Sequence, residues 1–469
     1  MATQSRAKTG EASEEGYRLV AHKKSGLRFI SGGRSKPAGR VQGIGQIFEA
    51  EVLALADTGN GVVEHPDGRR VFVPGAWPGE RVRVKIVESK AQYAIGELVE
   101  VLAASPARIS PPCRFHGFAA GQCGGCGWMM VDYTEQLRAK QQRVEQAIHR
   151  LVPNQRVEPI LAAPEPFGYR IRAQLKTDGR KLGFVANAQR ELATVDDCLV
   201  LTPHNRATLK TLREQLPKAE WNPHRKQEWT TLDIDESVSG IDVSVNKRLP
   251  FQQANQRQNE VMRTWLADHL EVLPRDLPVL ELFAGSGNFT EVIAQAGFKT
   301  ITAVEVVAEA IDALNVRALP GVTTAQCDLF NESAFVDLML RQRAAEILVL
   351  DPPRDGLKCR NGLFDRRGRL REVFYISCDL ATFARDLRDF LAARGVYHLE
   401  SAGVSNLVVG APKPLNVPPL APRHWGTVYD VSPDGKRVFL PQPGRRPVSR
   451  VPAGRLKDSG GDGTKDATV

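Results

Sequence analysis

The stretch Val279-Leu280-Glu281-Leu282-Phe283-Ala284-Gly285-Ser286-Gly287-Asn288 decides the fold. VLELFAG reads as a strand leading into a glycine-rich turn, and NFTEVIAQAG continues as a helix ending at Gly297. Working outward, QRQNEVMRTWLADHLEVL reads as an amphipathic helix on the N-terminal side. On the other side ITAVEVV is a strand, AEAIDALNVRAL a helix and EILVLDPP a strand. This alternation predicts an α/β, doubly wound parallel sheet with a ligand crevice at the carboxyl ends of its strands.

The turn narrows the ligand. Its glycines let the backbone bend sharply and come close to a bound molecule. A diphosphate usually wants a third glycine, and Thr290 stands there instead. Glu281, read as one residue into the turn, would repel a diphosphate. Glu305, closing the next strand, is placed to accept hydrogen bonds from ribose hydroxyls, and Asp328 follows at the strand after that. A ligand with a zwitterionic end fits these features, and S-adenosylmethionine satisfies them all. Asp351-Pro352-Pro353-Arg354 ends another strand. There Asp351 can bond a base edge or the cofactor, and Arg354 can meet a phosphate or a developing enolate. Cys378, in VFYISCDLATFARDL, sits between a strand and a helix. The helix N-terminus is expected to favour its thiolate.

The remaining chain divides by composition. Of 469 residues, 42% are hydrophobic and 25% charged, which excludes collagen-like, coiled-coil and wholly disordered chains. No window holds about 18 consecutive apolar residues, so no membrane span is expected. The N-terminus lacks the apolar core of a secretory signal, and a cytoplasmic location follows. Lys plus Arg number 63 against 54 Asp plus Glu, a net +9. Residues 1–40 hold nine Lys/Arg and three Glu, and read as a basic disordered arm attracted to phosphate backbones. Residues 41–104 carry short Val/Ile runs separated by Gly59-Asn60-Gly61, Asp67-Gly68 and Pro78-Gly79. They predict an OB-like barrel of four or five strands. Residues 105–250 form a central mixed α/β domain with helices near 132–152 and 204–216, and 251–402 the doubly wound domain. Residues 403–469 are proline-rich and partly disordered.

Seven cysteines and no signal argue against a disulfide framework. Cys123-Gly-Gly-Cys126, with Cys113 upstream and Cys198 downstream, offers four soft ligands for an iron–sulfur cluster or zinc. The single C-x-x-C pair tilts the reading toward [4Fe–4S].

Together these motifs resemble the uracil-5 RNA methyltransferase family, in its 23S rRNA branch, over about residues 41–402. VFVPGAWPGERVRVKI resembles the family's TRAM barrel. FQQAN (251–255), LELFAGSGNFT, VEVV, QCDLF, DPPRDGL and YISCDLATFARDL stand in family order. The resemblance implies a SAM-dependent enzyme acting on RNA, expected as a monomer with no membrane partner. It implies cofactor contacts from Gln253, Phe283, Asn288, Glu305, Asp328 and Asp351, and a [4Fe–4S] cluster on Cys113, Cys123, Cys126 and Cys198. Cys378 would be the nucleophile.

The resemblance stops near residue 403. Where the family carries D-x-F-P and then an H-v-E whose Glu is the general base, this chain has Ser405-Asn406-Leu407 and His424-Trp425-Gly426. YDVSPDGKRVFLP resembles a propeller-blade fragment, so residues after 403 read as a foreign or frameshifted terminus. His424 is the candidate substitute base. Two further readings follow: an RNA-binding paralogue with impaired turnover, and a tRNA-directed uracil-5 methyltransferase.

Overall fold

The computed structural model describes residues 43–185, 191–237, 239–247, 252–363 and 370–392, with backbone alone at 405–406 and 424–425. The basic arm and most of the segment after 403 lie outside the described residues.

Alternating Val/Ile and polar residues build the first sheet. Its strands are β1 (Ile47–Glu51), β2 (Ala54–Leu55), β3 (Gly61–Glu64), β4 (Arg70–Val73), β5 (Arg81–Ser89) and β6 (Tyr93–Ala103), in the order β1-β5-β6-β4-β3-β2. There are six strands where four or five were expected, because a two-residue strand and a bulged β5–β6 pair escape periodicity. Inward residues Val63, Val71, Val73, Val82, Val84 and Ile86 are completely buried. A Cβ at Gly96 would lie 2.4 Å from Val84 Cγ1, so closure of this core requires glycine there.

The barrel is pinned to the cysteine loop by polar contacts. Buried Glu80 accepts from Trp77 N (2.8 Å) and from Arg108 Nη2 (2.7 Å). Trp128 Nε1 donates to Gly59 O at 2.8 Å, and Trp77 meets Trp128 edge to face at 5.1 Å. Helix α1 (Tyr133–His149) follows, capped by Asp132, whose Oδ1 accepts from Thr134 N at 2.9 Å.

The central sheet contains β7 (Arg172–Thr177), β8 (Leu182–Val185), β9 (Leu192–Thr194), β10 (Thr230–Ser237) and β11 (Gly240–Val245), in antiparallel order β11-β10-β7-β8-β9. Helix α2 (Pro203–Glu214) covers it through Leu209 and Leu212. Thr202 and Pro203 supply the N-cap and first-turn proline that start a helix here.

The third sheet follows the predicted alternation. After α3 (Gln256–Glu271) come β12 (Val279–Leu282), α4 (Thr290–Gln295), β13 (Ile301–Glu305), α5 (Ala308–Val316) and β14 (Val322–Gln326). Then come α6 (Glu332–Arg341), β15 (Ile347–Leu350), β16 (Glu372–Tyr375) and α7 (Leu380–Ala392). The strand order is β14-β13-β12-β15-β16 and every pairing is parallel. Both faces are covered, which is why β12, β15 and β16 are buried at all four positions. Val279, Ile347 and Val349 pack with Met262, Leu266 and Val292 of α3 and α4. Leu280, Leu282, Leu348 and Leu350 pack with Phe383 and Leu387 of α7, and with Val144 and Ile148 of α1. No helix among the described residues is long and apolar enough to cross a membrane.

Candidate active site and cysteine pocket

Strand order reverses between β12 and β15, which opens a crevice at their carboxyl ends. The parallel registers align Leu282 with Val304 and Leu350, Leu350 with Tyr375, and Glu305 with Gln326. Asp328, Glu305, Phe283, Asp351 and Cys378 therefore leave the same edge of the sheet, each just past or at the end of its strand.

The glycine turn is held from behind. Phe283, Gly285 and Gly287 have φ of 65°, 56° and 92°. A Cβ on Gly287 would meet Leu314 Cδ1 at 2.4 Å, whereas one on Gly285 meets nothing. Glu305 Oε2 accepts from Gly285 N at 3.0 Å, and its Oε1 from Val306 N at 2.8 Å. Glu305 thus orders the turn in addition to any ribose contact. Arg317 Nη1 donates to Ser286 O (3.0 Å) and Gly287 O (2.9 Å), and Arg263 donates to Asn288 O. Both arginines pair with Glu291, at 2.6 and 2.8 Å. Asn288 exchanges side-chain hydrogen bonds with Asn259 at 2.8 and 2.9 Å. Arg263 and Asn259 were not singled out in the sequence, although their spacing of four puts them on one face of α3.

Glu281 is not in the turn. It lies inside β12, on the Val279 face under α4, and is 2% exposed. Burial pushes its carboxyl up to about 8, helped by the charge of Asp351 and opposed by Thr290. Neither its Oε2 nor Thr290 Oγ1 makes a hydrogen bond of normal geometry. Asp351 keeps some surface contact yet lies deep in the crevice, where desolvation raises it to about 7. Gln253 is buried two residues ahead of Asn255, which caps α3, and its Nε2 has no partner. Phe283 and Phe330 form a tilted ring pair at 5.9 Å, with Lys358 Nζ 4.1 Å from the Phe330 centroid. Asp328 is exposed and accepts from Phe330 N at 2.9 Å.

Cys378 lies three residues past the end of β16. At the start of α7, Asp379 Oδ1 accepts from Ala381 N (3.1 Å) and Thr382 N (2.9 Å). The cation facing the sulfur is Arg354, whose side chain hydrogen-bonds Cys378; burial lowers its pKa, and attraction to Cys378 and Asp379 opposes that. His424 pairs through its backbone with Asn406, and its side chain lies outside the described residues.

Cys113, Cys123, Cys126 and Cys198 line one pocket with Phe115, His116 and Met129. Burial first, then neighbouring thiols, raises Cys123 to about 11, Cys198 to about 12 and Cys126 well above the usual thiol range. Arg170 lies within electrostatic reach of Cys198 and Cys126, and its Nε is buried without a partner. Among the described residues no three His, Cys, Asp or Glu side chains converge tightly enough to hold a metal ion. Among the described residues no disulfide joins these cysteines.

A parallel sheet in this order, with a glycine turn and an acidic residue closing the next strand, is that of a doubly wound nucleotide-binding domain. Comparisons with known proteins sharpen the class. A TRAM-domain model matches residues 42–99, and a model described as tRNA (uracil-5-)-methyltransferase matches residues 237–399. The chain is 42% identical over 346 residues to an uncharacterized RNA methyltransferase of Nitrosomonas europaea, covering 72% of this chain and 88% of that one. It is 30% identical over 445 residues to a 23S rRNA (uracil(1939)-C(5))-methyltransferase of Halomonas elongata, covering 79% and 89%. The crystal structure of Pyrococcus abyssi tRNA (uracil-54, C5)-methyltransferase with S-adenosyl-L-homocysteine shares the fold. Its TM-score is 0.60 at 18% identity, over 82% of this chain and all of that one. The chain belongs to the S-adenosylmethionine-dependent RNA uracil-5-methyltransferase family, with an N-terminal TRAM domain.

Proposed function

We propose that this chain methylates C5 of a uridine in 23S rRNA through a covalent bond between Cys378 Sγ and C6 of the base. The observation that carries the reading is Cys378 at the crevice edge, one strand from Asp351 and hydrogen-bonded by the Arg354 side chain. Relatives named as 23S rRNA methyltransferases, at 29–30% identity, support rRNA over tRNA.

Uracil C5 is too weak a nucleophile to take a methyl group unaided. Addition of the Cys378 thiolate to C6 turns C5 into the carbon of an enolate, and Arg354 balances the charge that passes from sulfur to the base. The glycine turn, with Gln253, Phe283, Asn288, Glu305, Asp328 and Asp351, would hold S-adenosylmethionine, whose sulfonium methyl C5 would take while S-adenosylhomocysteine leaves. The unpartnered Gln253 Nε2 suits an anionic group at one end of a zwitterionic ligand. A base must then take the C5 proton, after which the C6–S bond breaks and the thiolate returns. Asp351, held at about 7, has the acidity this step needs. His424 is the second candidate. The target base must leave its stack to reach the crevice.

The four pocket cysteines are assigned to a [4Fe–4S] cluster. Four sulfurs around one zinc, each about 2.3 Å from it, must sit within roughly 4 Å of one another. A cubane puts each thiolate on a different iron, and the four cysteines lining one pocket offer that set of donors. Such a cluster supplies cross-linking of the loop 113–126 to Cys198.

The test is nucleoside mass spectrometry after incubating the protein and S-adenosylmethionine with a 23S rRNA fragment or with tRNA. The expected result is 5-methyluridine in the rRNA fragment and a loss of at least about 10³-fold in Cys378→Ala. Turnover by Cys378→Ala would overturn the covalent route. Methylation of tRNA alone would replace the substrate. An RNA adduct that accumulates without product would favour the impaired-paralogue reading.

A further inference from the structure

Asp386, on the second turn of α7, is completely buried and gathers donors from three segments around Cys378. Tyr375 Oη donates to its Oδ2 at 2.6 Å, and Leu357 N donates to the same oxygen at 2.7 Å. Arg360 Nη2 reaches Oδ1 at 2.9 Å, and Arg385 Nε reaches it at 2.8 Å. The two arginines return to the loop: Arg385 Nη2 donates to Asp355 O at 2.9 Å, and Arg360 Nη2 to Leu357 O at 2.9 Å. Gly356 has φ +65°, and a Cβ there would lie 2.4 Å from Asp386 Oδ2. The loop backbone therefore rests directly on the carboxylate.

Two of these segments bear on the reacting sulfur. Tyr375 is three residues before Cys378, and the loop carries Asp351 and Arg354 immediately ahead of Gly356. We propose that Asp386 is a positioning residue for methyl transfer: it ties the 351–357 loop to β16 and α7 and so holds the Arg354 side chain against Cys378. This rests on the reading of Cys378 as nucleophile. A merely structural carboxylate would brace α7 alone. This one bonds the Leu357 amide and the Tyr375 hydroxyl on a single oxygen, so the loop and the strand next to Cys378 share one anchor. Losing the anchor leaves Arg354 present but misplaced, and displacements of about 1 Å near a reacting atom cost on the order of 10²-fold in rate.

The test uses Asp386→Asn, the milder Tyr375→Phe, Arg354→Gln and the Asp386→Asn/Arg354→Gln pair, all in the full chain. One readout is the rate of stable adduct formation on RNA bearing 5-fluorouridine, which has no C5 proton to lose. The other is iodoacetamide alkylation of Cys378 against pH, followed by peptide mass spectrometry. We expect about a 100-fold slower adduct in Asp386→Asn and about 5-fold in Tyr375→Phe. Both variants should alkylate with midpoints displaced to higher pH, and the double variant should be no slower than Arg354→Gln alone. Additive losses, or an unmoved alkylation profile in Tyr375→Phe, overturn the positioning role. Should Asp386→Asn fail to fold, Tyr375→Phe alone decides. A Cys378→Ala protein that still turns over defeats the nucleophile reading itself, an outcome distinct from both.

Discussion

Glu281 makes the stability of this protein depend on pH in a direction opposite to that of an ordinary paired carboxylate. Its carboxyl lies inside β12 with one oxygen unpartnered, and burial raises it from 4.5 to about 8. The folded state therefore prefers the protonated acid. Its contribution is complete below about pH 4.5 and is lost as pH rises through 8. A shift of that size, at about 1.4 kcal/mol per unit, sets a ceiling of about 5 kcal/mol. Glu281→Gln keeps the shape and removes the titration. Urea denaturation followed by tryptophan fluorescence should be run on both proteins from pH 5 to pH 9. The variant should gain on the parent by about 1.4 kcal/mol per pH unit up to roughly pH 8 and then hold a constant lead. Parallel stability curves across that range would refute the assignment of a neutral, desolvated acid under α4.

Three further outcomes follow from the same geometry. Gly287→Ala should cost about 1–3 kcal/mol and weaken S-adenosylmethionine binding by calorimetry, since its Cβ meets Leu314; Gly285→Ala, in open space, should cost less. Glu80→Ala leaves Arg108, 20% exposed, without its buried partner and should lower stability by about 3–5 kcal/mol in denaturant titration. Cys126→Ser should remove iron, sulfide and visible absorbance from anaerobically purified protein; a zinc-containing parent would refute the cluster.

Much of the doubly wound domain was legible because its strands are buried on both faces and punctuated by glycine, proline and acidic residues. Ile347–Leu350 and Glu372–Tyr375 read as strands for that reason, and the carboxyl-edge residues Glu305, Asp351 and Cys378 followed from the strand ends, whereas Phe283 came only with the family resemblance. The barrel's count failed because β2 is two residues long and the β5–β6 pair is bulged, so neither keeps a period of two. Glu281 was misplaced into the turn because a buried acid inside a strand breaks the pattern by which strands are read. The contact between Arg354 and Cys378 was not legible, because Arg354 arrives from a loop more than twenty residues away along the chain.

By itself the sequence determined the class of fold, the glycine turn and the placing of Cys378 after a strand, since each depends on neighbours within a few residues. Tertiary structure alone decided which charges are neutralised and what holds the reacting groups. Glu281 is raised by the α4 layer above it, and Asp386 collects its donors from residues 357, 360, 375 and 385. Desolvation and long-range hydrogen bonding depend on what lies across space, which local spacing along the chain does not encode.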